Sequence, residues 1–235
     1  MPEAAYQRQT FNTPNPIARY AHRSRLRRSI GYADEMLCPN GCLLDFGCGT
    51  GDFLQAFRAI RSDANLFGFE PYLSPGAEAF TRVGNMADVE AGSVDVITCM
   101  EVLEHLADDD LSMFVAQSRR VLRSTGSILV SVPIMGGLTL FMKEINRVFL
   151  FRRKSDYSLK EILKASFGGK VERSANRLGS HKGFDFRELR QILRDDFVIA
   201  AEATCPFSVL PWWLNSQDFL FLRHKQDAEV RQQCI

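Results

Sequence analysis

The sequence lacks both a net charge and a long uninterrupted apolar run. It has 29 Lys and Arg against 28 Asp and Glu in 235 residues, a formal net charge of +1. No overall electrostatic field recruits nucleic acid, so the sequence predicts no nucleic-acid partner. A membrane-spanning helix needs about 20 consecutive apolar residues. The longest apolar stretch, residues 128–151, is interrupted by Pro133, Gly136, Gly137, Lys143, Glu144 and Arg147.

The sequence also lacks the cysteine and histidine spacings of a zinc site. Its six cysteines form no C-x-x-C pair, and its four histidines stand in separate contexts, so no zinc site is predicted. Scattered cysteines suit a reducing compartment better than secretion. Residues 1–8 contain no apolar segment of the kind found in signal peptides. A cytoplasmic protein is therefore expected.

The order of apolar runs predicts an α/β fold. Short apolar runs that alternate with helical patterns favour a parallel sheet with right-handed crossovers. Two final runs joined by a short loop favour an antiparallel pair. The predicted strands are 42–46, 66–69, 82–83, 94–100, 127–132, 197–205 and 219–222. The predicted helices are 17–37, 52–60, 75–82, 108–122, 138–152, 159–166 and 186–195.

The domain organisation follows from the same pattern. Residues 1–40 are predicted to be an N-terminal arm followed by a basic helix, and residues 41–235 a single domain. Within this domain, residues 136–183 are predicted to be an inserted cap that selects the substrate. The basic helix contains Arg19, Arg23, Arg25, Arg27 and Arg28.

A glycine-rich turn follows the first predicted strand and precedes a helix. Gly47, Gly49 and Gly51 are spaced two residues apart, and Asp52 stands where a dinucleotide fingerprint needs its third glycine. Asp45 and Asp52 surround the turn with negative charge, which disfavours a pyrophosphate and favours a ligand with a sulfonium and an ammonium group. Glu70, which ends the second predicted strand, could accept hydrogen bonds from ribose hydroxyls. The alternative is an ordinary turn and a solvated acid.

With these features the chain resembles the class I S-adenosylmethionine-dependent methyltransferases, in the group that includes the ubiquinone-biosynthesis O-methyltransferases. The resemblance implies a Rossmann-like, mostly parallel seven-stranded sheet with a C-terminal antiparallel hairpin strand and an inserted helical cap. Four segments carry it: LLDFGCGTG at 43–51, GFEP at 68–71, VDVITCMEVLEHL at 94–106 and GSILVSVP at 126–133.

The resemblance also implies a cofactor site for S-adenosylmethionine. Its methionine part would lie near Asp45 and the backbone of Gly47, Cys48 and Gly49, and its ribose near Glu70. The adenine would lie near Asn85 and Met86, with Asp88 as an alternative contact to Asn85. Met100 would lie against the ligand at the end of the fourth strand.

The segment after the fourth strand holds the candidate catalytic residues. Methyl transfer by direct displacement needs alignment and, for a hydroxyl acceptor, a base. His105 is a candidate base, because its ordinary pKa is close to neutrality. Glu101, Glu104 and His105 could instead hold a divalent ion, magnesium or manganese, as the resemblance suggests, or play a structural part. His181, in a loop that leaves the predicted cap, is the second candidate base, with a plain surface position as its alternative.

The expected acceptor is a small molecule, a glycan, a quinone-like compound or a lipid-linked compound, methylated on oxygen. The apolar cap helix and the segment Val209–Leu214, with Trp212 and Trp213, either wall the substrate pocket or associate peripherally with a membrane beside basic residues. Protein or RNA methylation, and a cofactor-binding regulator without catalysis, are the rival functions. A dinucleotide-dependent oxidoreductase is a more distant one.

Overall fold

The computed structural model describes residues 16–72, 79–150, 152, 154–177 and 179–225. Its seven strands form one sheet in the order β3-β2-β1-β4-β5-β7-β6. The strands are β1 (Cys42–Phe46), β2 (Asn65–Phe69), β3 (Thr81–Val83), β4 (Val94–Met100), β5 (Leu122–Pro133), β6 (Phe197–Cys205) and β7 (Gln217–His224). The helices are α1 (Pro16–Met36), α2 (Asp52–Arg58), α3 (Asp108–Val121), α4 (Gly137–Ile145), α5 (Leu159–Ser166) and α6 (Phe186–Asp196).

The sheet has the predicted mixture of strand directions. Strands β3, β2, β1, β4 and β5 pair in parallel, whereas β7 runs antiparallel to both β5 and β6. The prediction of a mostly parallel, seven-stranded α/β sheet with an antiparallel C-terminal hairpin is confirmed. Among the described helices, none is both long and apolar enough to cross a membrane.

Three predicted segments differ most from the structure. Strand β5 begins at Leu122, directly after α3, because Leu122 already pairs with Val94, and the polar and exposed residues 123–125 are part of the strand. The predicted helix over 75–82 is wrong at its end, where Thr81–Val83 forms β3, and residues 73–78 lie outside the described part. The predicted helix over 138–152 is α4 followed by a π-helical turn, Asn146–Leu150.

The core lies on both faces of the sheet. Leu44 packs on the face that α3 and α6 cover, with Phe114 and Leu193 among its buried neighbours. The adjacent Leu43 packs on the opposite face, where α1 and α2 supply Ala33 and Phe57. Side chains of successive strand residues point to opposite faces, so a strand that is apolar throughout is buried on both. This packing fixes where the carboxyl ends of β1, β2 and β4 meet.

Helix α1, which carries the basic residues, packs against the C-terminal strands of the sheet. The ring of Tyr32 lies 5.4 Å from that of Phe219 and 5.0 Å from that of Phe221, both edge-on. The Arg28 guanidinium donates a hydrogen bond of 2.8 Å to the carbonyl of Pro206, after β6. Arg23 and Arg27 are exposed, whereas Arg25 is half-buried. The helix therefore spans from solvent to the carboxyl edge of the sheet.

A buried polar pair joins β1 to β4 at this edge. The Thr98 hydroxyl donates a hydrogen bond of 2.7 Å to Oδ1 of Asp45, and both side chains are buried. Burial disfavours the ionised carboxyl and raises the pKa of Asp45 to about 7, against the lowering effect of the Thr98 hydrogen bond. Without a cationic partner, the folded chain thus holds the Asp45 proton up to near-neutral pH.

Because folded Asp45 keeps its proton to near-neutral pH, we expect the effect of Asp45→Asn on the stability of the cofactor-free protein to depend on pH. Unfolded chains lose the Asp45 proton near pH 4 and the folded protein near pH 7, so wild-type stability falls as pH rises between these values. Asparagine can still accept the Thr98 hydrogen bond and does not ionise. We expect the melting temperature of the variant, relative to that of wild type, to rise by on the order of 10 °C from pH 4 to 7 and then level off. A constant difference from pH 4 to 8 would contradict the assignment.

Candidate active site

The glycine-rich turn that follows β1 is docked on the end of β2. The backbone amides of Gly47 and Cys48 both donate to the carbonyl of Phe69, at 2.8 and 3.1 Å. Gly47, Gly49 and Gly51 have φ angles of 75°, 55° and 84°, the left-handed region where glycine has no steric penalty. Gly51 is the N-cap residue of α2 and supplies no side-chain hydrogen bond to the first-turn amides, which have no acceptor within the helix. The turn therefore offers backbone rather than side chain to a ligand.

The turn also touches the segment that follows β4. A Cβ atom on Gly47 would lie only 2.5 Å from Cγ2 of Val102, so any larger residue would displace one of the two segments. Val102 stands between Glu101 and the residues Leu103, Glu104 and His105. The cofactor turn and the predicted catalytic segment are consequently in direct contact.

Glu70 lies at the carboxyl end of β2, half-buried beside the turn. Its Oε2 accepts a hydrogen bond of 3.1 Å from the amide of Gly49, and its Oε1 accepts one of 2.8 Å from the amide of Tyr72. An ionised carboxylate has about four acceptor positions, so lone pairs on both oxygens are left for a ligand. Glu70 is thus held rigidly where a ribose could meet it.

The other predicted cofactor residues have different surroundings. Asn85 Oδ1 accepts a hydrogen bond of 2.9 Å from the amide of Ala87 and so caps the short 3₁₀ turn Met86–Asp88. Met86 is buried in the core, Asp88 is exposed, and Met100 is half-buried at the end of β4. Arg120 holds this region by donating to the carbonyls of Met86 and Val89 at 2.6 and 2.8 Å.

Glu101 begins the segment after β4 with a left-handed backbone, φ 58°. Such a conformation is uncommon for a residue with a Cβ atom and marks a site where tertiary contacts hold the chain. The Ser131 hydroxyl donates to Glu101 Oε1 at 3.1 Å, and Arg25 Nη1 lies 3.2 Å from Glu101 Oε2. Both carboxylate oxygens of Glu101 are therefore engaged by β5 and α1.

His105 and His181 meet although they are 76 residues apart, with 3.1 Å between their Nε2 atoms. His105 Nδ1 lies 2.8 Å from the carbonyl oxygen of Arg177. A carbonyl only accepts, so in neutral His105 the Nδ1 carries the hydrogen and Nε2 has a lone pair. His181 Nε2 then donates to that lone pair. Burial and the neighbouring His105 lower the pKa of His181 to about 4, so His181 is neutral at pH 7.

Glu104 lies next to this histidine pair and is only 1% exposed. Among the described residues neither of its carboxyl oxygens has a hydrogen-bond partner, and Oε1 lies 3.8 Å from His105 Nε2. Burial, reinforced by the nearby Glu101 carboxylate, raises the pKa of Glu104 well above its usual range. The Arg173 guanidinium donates to the backbone carbonyl of Glu104 at 2.6 Å and fixes the segment from outside.

The magnesium set that the resemblance implied does not fit this geometry. Arg25 and Ser131 engage the Glu101 carboxylate, while Glu104 and His105 converge on His181 instead. Magnesium prefers six oxygen ligands, and a site with two imidazoles suits it poorly. Glu101, Glu104 and His105 are therefore not a magnesium site in this structure.

Sequence reasoning overlooked four contributors to the site. The sequence marks Arg25 only as one charge of a basic helix, and Thr98 only as part of a buried strand. Arg173 and Arg177 stand in a polar loop without periodicity, so nothing in the local sequence indicated that they hold the segment 104–108. All four act over distances of 53 residues or more along the chain.

The comparison with protein families matches residues 17–165 to the model of a methyltransferase domain. The ubiquinone biosynthesis O-methyltransferase of Hahella chejuensis is 32% identical over 132 residues, which cover 50% of this chain and 49% of that protein. The chain spans about half the length of the curated relatives that it matches.

Solved structures share the fold at low sequence identity. The PH0226 protein from Pyrococcus horikoshii has a TM-score of 0.61 at 15% identity, covering 94% of this chain and 97% of that one. The 1,6-didemethyltoxoflavin-N1-methyltransferase of Burkholderia thailandensis, solved with S-adenosylhomocysteine, has a TM-score of 0.55 at 16% identity, covering 94% and 88%. Together with the glycine turn and the sheet order, the family match establishes that this chain belongs to the methyltransferase domain family, within the class I S-adenosylmethionine-dependent methyltransferases.

Proposed function

We propose that this protein methylates a hydroxyl oxygen of a small-molecule acceptor, using S-adenosylmethionine as the methyl donor. The observation that carries the proposal is the hydrogen-bonded His105–His181 pair, since His105 lies on the segment that contacts the cofactor turn through Val102 and oxygen acceptors need a proton acceptor. The resemblance to ubiquinone biosynthesis O-methyltransferases supports the choice of oxygen and of a quinone-like or lipid-linked acceptor. A glycan hydroxyl is the other acceptor class that we infer.

The cofactor site that we propose uses the carboxyl edge of β1, β2 and β4. The Asp45 carboxylate faces the ammonium group, the turn Gly47-Cys48-Gly49 follows the methionine part, and Glu70 accepts from the ribose hydroxyls. Asn85 and Met86 flank the adenine, and Met100 lies against the nucleoside. Bound S-adenosylmethionine supplies an electrophilic methyl group on a cationic sulfur, which the negative charge of Asp45 and Glu70 favours.

In this proposal the histidine pair accepts the proton of the acceptor hydroxyl. The carbon–sulfur bond breaks as the carbon–oxygen bond forms, and the hydroxyl proton passes to an imidazole nitrogen. His181 takes this proton on Nδ1 and passes the hydrogen on its Nε2 to the Nε2 lone pair of His105, so His105, oriented by the Arg177 carbonyl, is the base that finally holds the proton. Glu101, held by Arg25 and Ser131, supplies the negative charge that stabilises the resulting imidazolium.

The ribose contact predicts that Glu70→Gln weakens binding of S-adenosylmethionine. Charge-assisted hydrogen bonds contribute about 1.5–3 kcal/mol, so we expect affinity to fall about 10- to 100-fold in calorimetric titration. The control is Glu90→Gln, which alters an exposed acid before β4. Equal affinity of both variants and wild type would rule out the ribose contact.

The base assignment predicts that His105→Ala slows methyl transfer without weakening cofactor binding. General base catalysis contributes about 10²- to 10⁴-fold, and we expect kcat to fall by this factor. Transfer of labelled methyl groups to acceptors in an extract of the source cell measures it, and calorimetry checks the cofactor. His224→Ala, at the far end of β7, is the matched control. Full turnover in the His105 variant would remove His105 as the base.

A lipid-linked acceptor would require access to a membrane surface, and we propose that the predicted cap provides it. Exposed apolar side chains occur on three adjoining elements: α4 with its π-helical turn, α5, and the loop before β7. They are Leu138, Met142, Phe149, Leu159, Leu163, Phe167, Val209 and Trp213. We call this set the apolar cap face.

Charge around the apolar cap face suits an anionic bilayer. The same segments carry Lys143, Arg147, Arg152, Lys154, Lys160 and Lys164. Of the three acids between residues 138 and 170, Glu144 is buried, Asp156 is paired with Arg147 and Glu161 with Lys182. Exposed apolar groups beside basic residues are the composition of interfacial membrane binding.

Vesicle flotation tests this surface. We expect the full chain to float with vesicles that contain phosphatidylglycerol, and Phe167→Ser to reduce the floating fraction severalfold. Ile60→Ser is the control, because Ile60 is also exposed but follows α2 at the opposite edge of the sheet. Absence of flotation, or equal loss in both variants, would refute membrane association by this face.

A further inference from the structure

A polar cavity in the predicted cap narrows the choice of acceptor, in an inference that rests on the proposed function. The cavity has a volume of about 390 Å³ and lies between the segment 156–161 and the loop 172–182. Pockets for small ligands typically have volumes of about 300–1,000 Å³. We infer that this cavity binds a saccharide unit of the acceptor, so that the methylated hydroxyl belongs to a glycan.

The lining of the cavity is polar throughout. Its charged members are Asp156, Glu161, Glu172, Arg173 and Lys182. Its other members are serine, asparagine and glycine, and among the described residues no aliphatic or aromatic side chain lines it. Sites for apolar ligands are lined mainly by hydrophobic and aromatic side chains. A quinone ring or a lipid tail would therefore find no matching surface in this cavity.

The charges around the cavity largely cancel. Lys182 Nζ lies 2.9 Å from Glu161 Oε1, and Asp156 Oδ2 lies 3.0 Å from Nη1 of Arg147. The two remaining charged groups of the lining are one guanidinium and one carboxylate. A phosphate or a polyamine would meet repulsive charges as well as attractive ones, so the lining favours a neutral ligand.

The lining offers both donors and acceptors to such a ligand. Asn176 Oδ1 accepts from the Gly179 amide at 3.0 Å, and its Nδ2 group bonds to no described residue. The Arg173 guanidinium bonds to the Glu104 carbonyl through Nη2 and keeps donors on its other nitrogens. The exposed carboxylate of Glu172 accepts from no described residue. Sugar hydroxyls donate and accept, so a saccharide can use both kinds of group at once.

The loop that lines the cavity also carries the proposed proton relay. Ser180 and Lys182 line the cavity, and His181 between them meets His105. The carbonyl of Arg177, in the same loop, orients His105. A sugar in the cavity is therefore positioned by the loop that positions both imidazoles.

Saturation-transfer NMR of the full chain tests the cavity with the methyl glycosides of glucose, galactose, mannose and N-acetylglucosamine. We expect at least one of them to receive saturation from the protein, and Lys182→Ala to weaken its affinity about fivefold. Lys170→Ala is the matched control, because Lys170 is also paired with an acid, Glu188, but does not line this cavity. Melting temperatures establish that each variant is folded.

Glu172 provides a second test that breaks no contact between described residues. Glu172→Ala removes the acceptors and should weaken glycoside binding severalfold, whereas Glu172→Gln keeps an acceptor and should bind within about twofold of wild type. A ligand recognised through a positive charge would lose affinity equally in both variants. Equal loss would therefore overturn the assignment to a neutral saccharide.

The labelled product tests whether the bound sugar is the acceptor. After transfer of labelled methyl groups to acceptors in an extract of the source cell, acid hydrolysis of the product should release the label in a monosaccharide. Extraction into organic solvent before hydrolysis separates a lipid-linked sugar from a free glycan. Label in a sugar from either fraction supports the inference and identifies the source.

Several outcomes would overturn the saccharide site. These are label in a product without carbohydrate, absence of saturation on every glycoside, or equal affinity of Lys182→Ala and Lys170→Ala. Any of them, with methyl transfer that still depends on His105, leaves the proposed function intact. Glycoside binding that is lost in Lys182→Ala, together with full turnover in His105→Ala, supports the cavity and refutes the imidazole base.

Discussion

The contact of the glycine turn with its two neighbours is the constraint on which the site depends. Gly47 and Cys48 share the Phe69 carbonyl as acceptor, which ties the turn to β2. The opposite side of Gly47 rests against Val102, where a single added carbon does not fit. The cofactor loop, the acid at the end of β2 and the segment after β4 are thereby fixed relative to one another before any ligand arrives.

Four acids lie at the carboxyl edge of the sheet, and each has different surroundings. Asp45 is buried against a hydroxyl, and Glu70 is held by two backbone amides. Glu101 is paired with an arginine from α1, and Glu104 is buried without a partner among the described residues. The four acids therefore differ in burial and in the partners of their carboxyl oxygens.

The order of strands and helices could be read from the sequence, because buried parallel strands are short apolar runs and helices repeat their apolar residues. Helix α5 and strand β6 begin and end where predicted. The start of β5 could not be predicted, since residues 123–125 are polar and exposed. The meeting of His105 with His181 and of Arg25 with Glu101 joins distant segments. No local pattern encodes such contacts, which arise from the packing of the cap and of α1.

The contacts of α1 also determine the order in which parts of the structure can form during synthesis of the chain. Arg28 bonds to the Pro206 carbonyl and Ser24 to the Cys205 sulfur, at sequence separations of 178 and 181 residues. The first helix to be synthesised therefore gains these partners only after β6 has been made. The same helix carries Arg25, whose guanidinium lies 3.2 Å from Glu101 Oε2. The edge that holds the candidate catalytic residues is thus finished late, after the glycine turn has already been made.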